Sequence, residues 1–188
     1  MTARPRLVVV SFLLAWIAVP FAYANDVPRM AAQGSLQAAF APWDDVEALL
    51  IEVIGGARKQ VLVQAYLLTS RKIATTLIAA HARGVDVRVL LDAEQLAKAG
   101  FSTALELAEA GIPVWLETQH QNAHNKIIVI DAETPDAAVV TGSFNFTWTA
   151  QHKNAENILV ARNNPTLAAR YAANWERHRR DATPYIKK

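Results

Sequence analysis

The stretch that decides the fold reads His124-Asn125-Lys126-Ile127-Ile128-Val129-Ile130-Asp131 and continues, with ten residues between, as Gly142-Ser143-Phe144-Asn145. His124 and Lys126 are two apart, so on a strand they share a face. Ile127 to Ile130 is a short apolar run, the pattern of a strand buried on both sides. An imidazole and an ammonium therefore stand together at the entrance of a core strand. A second apolar segment, Ala138 to Val140, leads into Gly142, Ser143 and Asn145. A flexible glycine, a hydroxyl and a carboxamide suit the binding of phosphate oxygens. The turn between the two strands contains Glu133-Thr134-Pro135-Asp136, a composition that favours a hairpin connection.

Working outward, Glu156 to Ala161 reads as a further strand. Asn164-Pro165 supplies a capping residue and a proline for the first turn of a helix. Leu167, Tyr171, Trp175 and His178 fall on one face of it, the stripe of a helix packed on a core. On the amino-terminal side, Leu36, Ala38 and Phe40 alternate in a strand that stops at Pro42. Asp44 or Asp45 can cap a helix carrying Val46, Leu49, Leu50, Val53 and Ile54, with Gly55-Gly56 at its end. Val61 to Leu68 is a strand, and Ser70 caps a helix with Ile73, Leu77 and Ile78. Gly84 closes that helix, Val85 to Leu91 follows as a strand, and a helix covers about Thr103 to Ala110. Gly111 and Pro113 separate it from a strand around Val114 to Leu116. This alternation predicts an α/β fold, a mixed and largely parallel sheet with helices on both faces.

His-x-Lys-x4-Asp followed by Gly-Ser-x-Asn resembles the signature of the phospholipase D (HKD) superfamily. Phe144-Asn145-Phe146-Thr147 and Asn154-Ala155-Glu156-Asn157 resemble its small single-motif bacterial endonucleases. The likeness covers nearly all of the chain after residue 30, with a longer spacing between Asp131 and Gly142 than is usual there. The resemblance implies a phospholipase D-like fold and phosphodiester hydrolysis through a covalent phosphohistidine. His124 would be the nucleophile, and Lys126, Ser143 and Asn145 would stabilise charge on the phosphate oxygens, with Gly142 lining the substrate site. Asp131 belongs to the motif as a mainly architectural member, or equally as a turn residue. Glu156 would bond the nucleophilic histidine and fix its tautomer. No cofactor and no metal is implied. A second histidine must protonate the leaving oxygen, and one motif per chain implies a homodimer with a shared site. The implied substrate is DNA or RNA. Phospholipid is the alternative substrate, and a non-catalytic exported binding module the third reading.

Other histidines are weighed against a metal role. His120 lies four residues before His124 with Glu117 nearby, but this segment reads as a loop entering a strand, so the pair does not share a face. His81, His152 and His178 read as surface or packing residues, His152 being the nearest of them to the motif's carboxyl end.

Residues 1–24 read as a signal peptide: Arg4 and Arg6 precede an apolar run from Leu7 to Val19, and Ala22-Tyr23-Ala24 offers a cleavage site. The run is shorter than the ~20 residues of a spanning helix. Residues 25–188 then form one catalytic domain, periplasmic or secreted, with no stable membrane insertion expected after cleavage. With 52% hydrophobic residues such a chain can bury a proper core. The whole chain has 19 basic and 17 acidic residues; removing Arg4 and Arg6 leaves 17 of each. Overall charge therefore does not argue for nucleic acid. Local charge is left: Arg177, Arg179 and Arg180 cluster near the end, either as a solvated helix face or as a phosphate-tracking patch. The absence of cysteine means an exported protein stabilised without disulfides.

Overall fold

The computed structural model describes residues 27–99 and 102–186. The expected signal peptide lies outside the described residues. In chain order the elements are β1 (Ser35–Ala41), α1 (Val46–Gly55), β2 (Gln60–Ala65), α2 (Arg71–Ala82), β3 (Asp86–Asp92), α3 (Ala93–Ala99) and α4 (Ser102–Glu109). They continue as β4 (Val114–Glu117), β5 (Lys126–Ile130), β6 (Ala138–Gly142), α5 (Trp148–His152), β7 (Glu156–Arg162), α6 (Pro165–Asp181) and β8 (Thr183–Pro184).

All eight strands join one sheet in the order β1-β7-β6-β5-β2-β3-β4-β8. The expected α/β architecture and mixed sheet are present, but the sheet is not largely parallel. Only β2–β3 and β3–β4 run parallel, whereas the other five pairings are antiparallel. The reason lies in the connections. Helical crossovers return the chain in the same direction from β2 through β4, whereas β5 and β6 are joined by a turn too short for a crossover. No helix among the described residues is long and apolar enough to cross a membrane.

Capping residues start the helices where side chains can replace missing backbone partners. Asp45 accepts from the Ala48 N–H at 2.9 Å, Ser70 from Ile73 at 3.2 Å and Asn164 from Leu167 at 3.0 Å. Two apolar layers sandwich the sheet. One holds Leu50, Ile54, Ile73, Leu77, Leu107 and the inward side chains Val63, Val89 and Ile128. The other packs Leu62, Leu90, Val129 and Val139 against α6, centred on Trp175. The Trp175 indole donates to the Val63 carbonyl at 2.8 Å, so its polar edge is satisfied inside the core.

β5 is buried along its whole length, from Lys126 to Ile130. It is held between β2 and β6, at the seam of the parallel and antiparallel halves. That position makes its two ends rigid.

Candidate active site

At the start of β5, His124 is exposed and Lys126 is buried. The Lys126 Nζ lies 3.1 Å from His124 Nδ1 and donates to the His124 carbonyl at 3.0 Å. Burial pushes the Lys126 ammonium below its ordinary 10.5, while the Glu156 carboxylate pulls the other way. An ammonium that lacks full compensation is primed to take an anionic ligand.

Glu156, at the start of β7, is not bonded to His124 as the resemblance implied. Its Oε2 accepts from Ser143 Oγ at 2.5 Å, and its Oε1 accepts from Asn154 Nδ2 at 2.8 Å. Both oxygens are engaged, so its influence on the pair is electrostatic, through Lys126. Ser143 Oγ accepts from the Asn157 N–H at 3.0 Å, which fixes the hydroxyl at the end of β6. Gly142 permits this closeness: a Cβ there would run into the Asn157 carbonyl oxygen. Asn145 is half-buried, and its carboxamide oxygen has no hydrogen-bond partner among the described residues.

The loop carrying Ser143 and Asn145 is fastened to the end of β2. Phe146 donates its N–H to the Leu67 carbonyl at 3.1 Å, and its own carbonyl accepts from Thr69 and Ser70 at 3.0 Å each. Just behind it, Gln151 in α5 accepts from the Glu47 N–H at 3.0 Å and donates to the Asp44 carbonyl at 2.9 Å. The loop before β5 is tied down as well, by the Ala123 N–H donating to Asp92 at 2.7 Å. The site is thus assembled from β2, β3, β5, β6 and β7 rather than from one loop.

Asp131 is elsewhere. It ends β5 about 16 Å from Lys126 at the usual rise of a strand. Its buried carboxylate accepts from the Arg58, Lys59 and Gln60 N–H groups at 2.9, 2.7 and 2.8 Å. It locks the far end of β5 to the start of β2, so Asp131, although it is counted with the catalytic motif, has a structural place and not a catalytic one.

Sequence reading missed Tyr66. The apolar run predicts a strand to Leu68, but β2 ends at Ala65, and Tyr66 turns toward the site. Its ring lies 4.3 Å from that of His124, centroid to centroid, and 4.9 Å from the Lys126 Nζ. A strand-end aromatic beside a core strand was the only sequence signal for it. His152 stacks on Trp148 at 4.5 Å and donates from Nδ1 to the Trp148 carbonyl at 2.9 Å. His178 is not a simple packing residue: it meets Glu117 at 2.9 Å.

An exposed imidazole beside a buried ammonium, with a hydroxyl and a carboxamide on a neighbouring loop, is a set of groups that could bind and attack a phosphodiester. The chain belongs to the phospholipase D superfamily. The family described as "Cardiolipin synthase, PLD-like domain" matches residues 50–179. A protein named phospholipase D from Rickettsia prowazekii is 38% identical over 144 residues, covering 77% of this chain and 67% of that one. A mitochondrial cardiolipin hydrolase from Xenopus laevis is 32% identical over 129 residues, covering 69% of this chain and 58% of its own length. The crystal structure of Nuc from Salmonella typhimurium, a phospholipase D family member, superposes with a TM-score of 0.74 at 31% identity. That match covers 81% of this chain and 99% of Nuc.

Proposed function

We propose that the protein is an exported, metal-independent endonuclease that hydrolyses DNA or RNA through a phosphohistidine on His124. The observation that carries this reading is the pairing of an exposed His124 with the buried Lys126 ammonium. His124 attacks phosphorus, its nitrogen forming the P–N bond as the leaving oxygen departs with a proton from a second histidine. Water then attacks phosphorus as the second histidine takes its proton, and the P–N bond breaks, returning both histidines to their starting forms. Lys126, Ser143 and Asn145 face the non-bridging oxygens, where charge builds up.

The ground-state contact adds a requirement. While the Lys126 ammonium donates to Nδ1, the imidazole proton sits on Nε2 and that nitrogen has no free lone pair. Attack through Nε2 therefore needs Lys126 to transfer its hydrogen bond to a phosphate oxygen, so that the Nδ1–H tautomer can form. Substrate binding and activation of the nucleophile become one event.

The second histidine comes from a second chain in this reading. His152 is occupied by Trp148, and an isologous dimer would bring two exposed His124 side chains to one axis. Mixing wild-type with His124→Ala chains under subunit exchange leaves about a quarter of the activity if one site needs both histidines. Residual activity near half would reject the shared site.

The names of the Rickettsia and Xenopus relatives favour a second reading, phospholipid hydrolysis. Incubation of the purified protein with DNA, RNA and phosphatidylcholine vesicles, each with EDTA, separates the two. Nucleic-acid cleavage that survives chelator is the expected result; choline release without it transfers the function to lipid.

A further inference from the structure

A second cluster of chemistry-bearing side chains stands apart from His124. Glu117 ends β4 with its side chain almost wholly buried, at 1% exposure. Its Oε1 lies 3.2 Å from His120 Nδ1, and its Oε2 lies 2.9 Å from His178 Nδ1. The two imidazole rings are 5.2 Å apart. One donor atom from each of the three residues falls within 4.8 Å of the others.

These residues come from three separate segments: the end of β4, the loop that leads to His124, and the last turns of α6. Nothing in the phosphodiesterase chemistry uses them. Around zinc, bonds of about 2.0–2.1 Å put tetrahedral ligands about 3.3 Å apart. The two carboxylate–imidazole contacts are hydrogen bonds to different carboxylate oxygens, at 3.2 and 2.9 Å, and the whole donor set lies within 4.8 Å. A cavity of about 350 Å³ opens beside the cluster, lined by Asn174, Arg177 and Asp181 among others, and leaves room for water in a fourth position.

We propose that Glu117, His120 and His178 form a binding site for a divalent transition-metal ion, with zinc as the fitting probe. One carboxylate and two imidazoles are the donor set that zinc takes with an open fourth position. Bound there, the ion would cross-link α6 to the loop between β4 and β5. The ion would stand apart from the His124 site, since neither His124 nor Lys126 is among its ligands.

The experiment is equilibrium dialysis of the purified, EDTA-stripped protein against graded zinc, with thermal melts alongside. Wild-type protein should take up one zinc per chain and melt at a higher temperature with it. His120→Ala changes an exposed side chain and leaves the fold intact; it should weaken zinc binding at least tenfold, as should His178→Ala. His152→Ala should bind zinc as wild type does, which controls for surface histidines. Absence of saturable zinc uptake, or equal uptake by the His120 and His178 variants, overturns the site. Nucleic-acid cleavage is not the readout, so the outcome is independent of the substrate question.

Discussion

The two ends of β5 are built from the same materials and put to opposite uses. Each end is polar, next to a strand that is wholly buried. At the far end, the Asp131 carboxylate takes three backbone N–H groups within 2.9 Å and is closed off. At the near end, the Lys126 ammonium is buried with an imidazole nitrogen and a carbonyl for company, and its charge is left under-compensated. A saturated charge holds two strands together. An unsaturated one holds a place for substrate.

The sharpest way to break this contrast is His124→Ala. It should lower phosphodiester cleavage on the order of ten-thousandfold or more with an unchanged melting temperature, since the ring is exposed. Cleavage at the wild-type rate would remove the covalent step. Lys126→Ala should lower kcat about a hundredfold to a thousandfold, the cost typical of losing one charge-stabilising group. A loss confined to KM would instead make Lys126 a simple binding group.

Asp131→Ala should do the reverse. Leaving three backbone donors without their acceptor should cost about 2–3 kcal/mol of stability, with kcat per folded molecule close to wild type. Denaturant melts beside single-turnover kinetics check this; a large kcat loss with normal stability would bring Asp131 back into the chemistry.

Acidity gives a smaller test. The Lys126 value in the folded protein lies below its ordinary 10.5, so between the two values the unfolded chain holds a proton that the native chain lacks. Lys126 thus contributes a stability that is greatest above the ordinary value and lost as pH falls through the folded one. Cleavage, which needs the ammonium, moves the other way. Urea midpoints and initial rates between pH 7 and 10 should diverge, and Lys126→Met should flatten its part of the stability curve. Rates that climb through the whole range would contradict the ammonium role.

Much of this contrast was legible in the sequence because local rules govern it. The Ile127–Ile130 run, the capping residues Asp45, Ser70 and Asn164, and the Gly-Ser-x-Asn segment all act over a few residues. Strand direction was less legible, since a helix pattern between strands says nothing about how the last hairpin docks against the first ones. The short elements α3, α5 and β8 carry too few residues for a period to show. Tyr66 hid inside an apolar run, and its meaning depends on where β2 stops. Glu117 and His178 are 61 positions apart, and only the sheet edge and α6 bring them together. Glu156 shows the converse. A resemblance named its partner as His124, but two local acceptor bonds, from Ser143 and Asn154, take both of its oxygens.

The turn between β5 and β6 has a practical use. Glu133, Pro135 and Asp136 are exposed at the end of the hairpin remote from His124, and an exposed turn accepts added chain more readily than any strand. A fluorophore or a short affinity tag placed between Pro135 and Asp136 would report on the molecule without entering its working end.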